Sequence, residues 1–353
     1  MQPQAFERHR PQINEALDEM LDRVLDRIEQ FHPSVSRASE HLRAFVSGGK
    51  RIRPLLLVIG FETAGGRYTP GVHGPAVALE LLHTCALIHD DVIDRAPTRR
   101  GRPTVHYSLA AEHEANGWNG KPAEYGEAVA ILLGDIAFVH ADEAFMDAQV
   151  PDRALLAAFR RFTLLREEVM VGQYLDLQTA ISGQTSRELA LTVATLKSGR
   201  YSVTRPLEIG AALAGADQDL LDGLKAIGDP LGRAFQVRDD LLGLFGEEGT
   251  TGKSATSDLA EGKRTLLIAE AKQRLASDQA AQLEAGLGNP DLDTEEAARL
   301  RAMIDECGAR DAAERYVADA VAEANTAIAD LDVPTQAREV LAEVASYLGD
   351  RTS

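Results

Sequence analysis

Apolar residues recur along this chain at spacings of three and four. Between Phe6 and Phe31 the positions Ile13, Leu17, Met20, Leu21, Val24 and Ile28 hold that period with acids between them, which predicts an amphipathic helix. Residues 75–94 predict a second helix. It opens with Pro75, whose fixed φ suits a first turn, and carries Ala78, Leu79, Leu81, Leu82, Cys85 and Ile88. From Glu124 to Met146 the pattern is apolar nearly all round (Val129, Ile131, Leu132, Leu133, Ile136, Phe138, Val139), so this helix is expected to be central. Further helices are predicted at about 152–181, 186–201, 203–214, 217–245, 258–280, 293–306, 309–331 and 335–349. No alternating strand of convincing length occurs. The ambiguous run Leu55–Ala64 follows Pro54 and opens on three leucines, which favours helix. Gly and Pro gather at 47–49, 64–74, 96–103, 247–252 and 286–290, and none of these loops is long enough for an interdomain linker. No repeat period is present, so a solenoid is not expected. The pattern predicts a single all-α domain over 1–353.

Composition narrows the chemistry. Of 353 residues 44% are hydrophobic, ample for a sizeable core. Two cysteines, Cys85 and Cys307, cannot build a disulfide framework or a multi-thiolate zinc site, so a reducing cytoplasmic setting is expected. The first residues lack the apolar core of a signal peptide, and no long apolar run predicts a membrane span. Lys and Arg number 37 against 55 Asp and Glu, a net charge of −18, which argues against nucleic acid. An anionic ligand must therefore be held by local basic islands.

The strongest local signal is His89-Asp90-Asp91-Val92-Ile93-Asp94. Asp90 and Asp94 stand four apart and share one helix face, with Asp91 about 100° round the axis. Like charges at that spacing, at a helix C-terminus whose dipole disfavours anions, are penalised unless a cation neutralises them. Hard, oxygen-loving Mg²⁺ suits them. A second pair, Asp239-Asp240, ends another apolar helix, but Gly243 stands where an i+4 carboxylate would complete a DDxxD pattern. The basic islands are Lys50, Arg51 and Arg53 after Gly48-Gly49, then Arg95, Arg99, Arg100 and Arg102, with no acid between Asp94 and Glu112. Lys197, Lys253 and Lys263 recur beside Gly and Ser. Metal-binding carboxylates and phosphate-binding cations together point to a diphosphate held through Mg²⁺, a potential leaving group.

These residues resemble the trans-isoprenyl diphosphate synthases, the polyprenyl synthetases. Seven ordered motifs carry the resemblance: GGKRIRP at 48–54, HDDVIDRAPTRRGRPTVH at 89–106, LLGD at 132–135, GQYLDL at 172–177, KSGRYS at 197–202, FQVRDD at 235–240, and TGK…SDLAEGKRT at 251–265. The resemblance spans about residues 45–266. It implies a large helical bundle of the isoprenoid synthase type around a central cavity, working as a homodimer. It implies Mg²⁺, three ions per site, on Asp90 and Asp94 with Asp91 in support, and on Asp239 with Asp240 as its neighbour. Lys50, Arg53, His83 and Arg100 match groups on isopentenyl diphosphate. His83 lies seven residues before Asp90 and so shares its face. Arg99, Lys197 and Lys253, and more loosely Lys263, match groups on the allylic diphosphate. Gln173, Asp176, Ser198 and Gln236 match residues lining the cavity, where the equivalent of Gln236 and the residues near Lys197 face the developing cation.

The reaction so implied is prenyl transfer: ionisation of the allylic diphosphate, alkylation of isopentenyl diphosphate, then proton loss. Catalysis would rest on Asp90, Asp94, Lys197, Gln236 and Asp239. Product length would depend on a floor formed by Leu81, Leu82, Cys85, Ala86 and Phe138. The family's aromatic blocks at 85 and 86 are absent, which favours C20 geranylgeranyl diphosphate over longer or C15 products. A terpene cyclase would have no use for an isopentenyl site and would carry more than 5% aromatic residues. A non-catalytic subunit would have lost some cationic partners, and a His-Asp phosphohydrolase would need histidines that His41, His83, His106 and His140 do not supply.

Overall fold

The computed structural model describes residues 2–246 and 257–350. Contacts group the chain into two compact units: one of Gln4–Val58 and Arg67–Leu155, the other of Met1–Pro3, Ile59–Gly66 and Leu156–Ser353. Helix dominates both units, and the structural class is all-α as expected.

The first unit contains α1 (Gln4–Phe31), α2 (Ser36–Val46), the start of α3 (Ile52–Thr63), α4 (His73–Ile93), α5 (Val105–Ala115) and α6 (Pro122–Met146). Its core is α4, buried without a break from Pro75 to Leu82. The segment Pro70–Ile93 is long and apolar enough to cross a membrane by composition alone, and 67% of the 18-residue window that meets this test is buried inside the protein. α6 is not the central helix its pattern predicts. Its inward face is mostly a stripe of small residues, Gly126, Ala130, Gly134, Ala137, Ala141 and Ala144, joined by Leu133 and Phe145, while Leu132 and Val139 are each 60% exposed. The small stripe admits neighbours closely. A Cβ on Gly134 would lie 2.2 Å from His89 Nε2, and one on Gly126 would lie 2.2 Å from the His106 carbonyl. Two elements escape the periodicity. α2 buries only Ser39, Leu42 and Val46, and α5 gives two of its four buried positions to His106 and His113. A two-residue hairpin, β1 (Thr98–Arg99) with β2 (Arg102–Pro103), is too short to show as alternation.

The second unit contains most of α7 (Asp152–Ser182), then α8 (Arg187–Val193), a π-helix (Ala194–Thr204), α9 (Arg205–Leu213) and α10 (Gln218–Phe245). After them come α11 (Ser257–Ala260), α12 (Leu266–Arg274), α13 (Ser277–Gly286), α14 (Thr294–Glu306), α15 (Ala309–Asp330) and α16 (Thr335–Gly349). α10 is the hub, packed on the π-helix, α15, α9 and α16. The break predicted near residue 202 is instead a widened turn that joins α8 to α9. The single helix predicted over 258–280 is three, because Gly262 turns left-handed (φ 72°) and α12 ends at the extended Leu275.

Gly232 of α10 meets Gly199 of the π-helix backbone to backbone: a Cβ there would lie 2.6 Å from the Gly199 Cα, carbonyl carbon and oxygen. Neither partner has a side chain to give way. Gly232→Ala is expected to cost about 1–3 kcal/mol, read as a lower urea midpoint with an unchanged m-value.

Candidate active site

The acidic end of α4 splits by role. Asp90 and Asp94 lie one turn apart and partly exposed, Asp94 being the C-cap residue. Asp91 points inward, 1% exposed, and its Oδ1 accepts from Arg99 Nε at 2.7 Å. This burial makes Asp91 a holder of Arg99, whose Nη2 also lies 3.6 Å from Asp90 Oδ2. A Schellman-type cap ends α4: the Arg95 and Ala96 N–H groups donate to the Val92 and Asp91 carbonyls. The position that usually takes glycine is Arg95, at φ 52°. The chain then turns through the hairpin, whose two-residue loop, Arg100-Gly101, has φ values of 53° and 71°, the signature of a type I′ turn.

A second strained loop meets the first. Gly48 (φ 83°), Gly49 (φ 101°) and Arg51 (φ 54°) turn the chain between α2 and α3. A Cβ on Gly49 would touch the Arg100 guanidinium at 3.4 Å, so the glycine lets the two basic loops close on one another. Beneath them Arg51 Nη1 donates to Glu80 Oε1 at 2.5 Å, with both side chains 6% exposed. Desolvation, then Arg53, Arg100, Arg99 and Arg51 in turn, hold His83 well below the ordinary imidazole range, so it is neutral at pH 7. Desolvation and the neighbouring arginines also pull Arg100 down, while Glu80 opposes them. Lys50, on the loop beside Gly49, adds to this cationic field, which suits a polyanion. A cleft of about 390 Å³ opens beside it, lined among others by Ser47, Gly48, Gly49, Arg99, Arg100 and Arg102.

The floor residues divide. Cys85 faces α6: its Sγ lies 3.7 Å from His89 Nδ1, and His89 Nε2 lies 3.1 Å from the Ile131 carbonyl oxygen. Burial, with Asp135 adding, pushes the Cys85 thiol up to about 12, so it is an inert packing group. Ala86 stands one turn below Asp90 on the same face, and Leu82 one turn further; Leu81 and Leu82 are buried, Ala86 and Phe138 half-buried.

In the second unit Lys197 Nζ donates to Asp176 Oδ2 at 2.6 Å, and Ser198 follows it in the π-helix, with Gln173 half-buried on α7. On α10 Gln236 Nε2 donates to Asp240 Oδ1 at 2.7 Å. Burial pushes the Asp240 carboxyl up to about 8, with Asp258 and Asp239 adding and the Gln236 bond opposing. Desolvation acts against the Lys263 ammonium, but Asp258 at 2.7 Å and Glu261 at 2.5 Å hold it well above its ordinary range. Lys253 lies outside the described residues.

Gly243 is explained by a residue that the motif analysis did not single out. A Cβ at 243 would lie 2.3 Å from Asp258 Oδ2. The space in which a third motif carboxylate would begin is taken by a carboxylate from α11. The signal was present in SDLAEGKRT, but only the fold brings its aspartate to α10. Carboxylate oxygens are the donor set Mg²⁺ prefers, and the partly exposed Asp90, Asp94 and Asp239 fit it. No group of three or more acid, His or Cys side chains is drawn together as for a bound metal ion among the described residues.

The family described as Polyprenyl synthetase matches residues 35–305. A crystal structure of geranylgeranyl pyrophosphate synthase from Corynebacterium glutamicum, complexed with isoprenyl diphosphate and magnesium, is similar with a TM-score of 0.92 and 37% identity, covering 96% of this chain and 97% of that one. The geranylgeranyl diphosphate synthase of Sulfolobus acidocaldarius is 32% identical over 88% of this chain and 90% of its own. A (2E,6E)-farnesyl diphosphate synthase of Mycobacterium tuberculosis is 33% identical over 86% of this chain and 80% of its own.

Gly243→Asp, which completes a DDxxD pattern, is expected to lower kcat/KM by about tenfold or more, because the new side chain displaces Asp258. Combining it with Asp258→Gly makes room for the new side chain but takes a partner from Lys263, so it should recover only part of the loss. Steady-state rates and Mg²⁺-dependent thermal shifts with inorganic diphosphate check both variants.

Proposed function

We propose that this chain, which belongs to the polyprenyl synthetase family, makes C20 geranylgeranyl diphosphate. It is a trans-prenyltransferase that joins isopentenyl diphosphate to allylic diphosphates. Product length differs among its relatives, so the C20 assignment rests on α4. One turn below Asp90 stands Ala86 and two turns below stands Leu82, so α4 presents no aromatic side chain at either level. One turn rises about 5.4 Å, close to one extended isoprene unit, so the first level stays open to a growing chain.

In this reading Lys50, Arg53, His83 and Arg100 hold the diphosphate of isopentenyl diphosphate. His83, neutral among arginines, can accept as well as donate a hydrogen bond there. Arg99, fixed through its Nε by Asp91 and with its Nη2 3.6 Å from Asp90, offers its guanidinium to the allylic diphosphate beside the Mg²⁺ ligands. Lys197, Lys253 and Lys263 serve the same diphosphate. Asp90, Asp94 and Asp239 would ligate Mg²⁺, three ions per site, with Asp240 beside Asp239. Bound Mg²⁺ would neutralise the diphosphate and make it a better leaving group. The C1–O bond of the allylic substrate breaks, and its electron pair leaves with the diphosphate. The double bond of isopentenyl diphosphate then attacks C1, and a proton passes to the departed diphosphate. Gln236 and Ser198 face the cation while water is excluded.

The outward apolar face of α6 supports a homodimer. Leu132 and Val139 are each 60% exposed and Met146 is 53% exposed, an arrangement that favours burial against a second copy.

Incubation with isopentenyl and farnesyl diphosphates is expected to give C20 by mass spectrometry, and Ala86→Phe should shift the product towards C15. Accumulation of C15 by the unaltered chain from shorter starters would overturn the assignment. Sedimentation should show a dimer, and Leu132→Asp should release monomer.

A further inference from the structure

The second unit buries a set of charges that the reaction just described does not use. Glu168 of α7 accepts from Arg200 Nη1 at 2.8 Å and from Arg205 Nε and Nη2, each at 2.7 Å. Asp229 of α10 accepts from Arg200 Nε at 3.3 Å and Nη2 at 3.2 Å, from Thr204 Oγ1 at 2.9 Å, and from Lys225 Nζ at 2.5 Å. Charges this deep are tolerated only when each has its partners.

The network is built around the π-helix. Such wide turns are rare, and they recur at functional sites. Here Lys197 and Ser198 lie in the same π-helix as Arg200 and Thr204, with Gly199 between the two pairs. The turn is gripped on three sides. Gly172 of α7 admits the Lys197 backbone, where a Cβ would lie 2.3 Å from its nitrogen. Gly232 of α10 admits Gly199. Arg200 and Thr204 are then tied by ion pairs and hydrogen bonds to Glu168 and Asp229. An ordinary helix would pair backbone groups four apart. The Arg200–Asp229–Thr204 cluster anchors the second half of the wider turn through its own side chains.

We infer that Asp229, through Arg200 and Thr204, is a positioning residue that fixes the direction of Lys197. The inference rests on the assignment of Lys197 to the allylic diphosphate. Asp229 touches no substrate in this scheme, so its effect must pass through the lysine.

The test is a double-mutant cycle read separately on the two substrates. Lys197→Ala should raise KM for the allylic diphosphate with KM for isopentenyl diphosphate within about twofold. If Lys197→Ala leaves the allylic KM unchanged, the assignment of Lys197 fails, and the inference with it. Asp229→Asn should raise the allylic KM by about tenfold in the wild-type background and by less than about twofold when Lys197 is already Ala. If Lys197→Ala acts as expected but the Asp229→Asn effect multiplies with it, or both KM values rise together, Asp229 is structural only and the positioning role is overturned. Thr204→Val removes one hydrogen bond to Asp229 at nearly constant volume. It carries the same cycle, with the same reading of its outcomes, should Asp229→Asn fail to fold.

Discussion

The pair on which the first unit depends is Arg51–Glu80. Both side chains are 6% exposed and lie 2.5 Å apart. A buried pair of this kind adds little net stability against an apolar replacement, but losing one partner costs about 3–5 kcal/mol. Its consequence here is positional. Arg51 is left-handed, and it also donates Nη2 to the Val46 carbonyl at 3.0 Å and Nε to Asn14 Oδ1 at 2.9 Å. One guanidinium therefore ties the loop carrying Gly48, Gly49 and Lys50 to α1, α2 and α4. Gly49 then sits under Arg100, and the cationic field around His83 follows. The three left-handed non-glycine residues among the described ones, Arg51, Arg95 and Arg100, all lie in these two loops. Backbone strain of about 1–3 kcal/mol each persists only where its surroundings over-determine it. At Arg51 the buried pair with Glu80 does that, and at Arg95 the helix cap does.

A catalyst for two diphosphates must gather arginines without letting them repel one another apart. This chain does so with carboxylates that each fix a guanidinium from one side. Asp91 takes the Nε edge of Arg99. Glu80 takes one Nη of Arg51. Fixing a guanidinium before the ligand arrives removes the rotamer entropy that binding would otherwise have to overcome.

Much of this was legible in the sequence, for physical reasons that can be named. Long amphipathic helices such as α1 and α10 show because their buried face repeats every turn. Asp90, Asp94 and the arginines show because residue type and local spacing already encode their chemistry. The role of Asp91 was not legible, since its 100° offset on the helix does not say whether it meets solvent or Arg99. The outward face of α6 was hidden for a related reason: Leu132 and Val139 read as core, while the true contact stripe is largely alanine and glycine, which carry little hydrophobic signal. The π-helix was invisible because a widened turn leaves no mark in a three-four period. Asp258 was missed because its partner, Gly243, lies fifteen positions away on another helix.

The net charge of −18 now divides by function. Glu80, Asp91, Glu168, Glu208 and Asp229 are spent as counter-ions to buried or half-buried arginines, and Asp258 and Glu261 hold Lys263. An acid that holds a cation cannot simply be exchanged for a neutral residue to make the protein more attractive to diphosphate, because the released arginine or lysine would lose its direction. The acidic excess and the basic islands are therefore one arrangement. The same logic explains Gly243: completing the motif with a third aspartate would crowd Asp258, and Asp258 is already committed to Lys263.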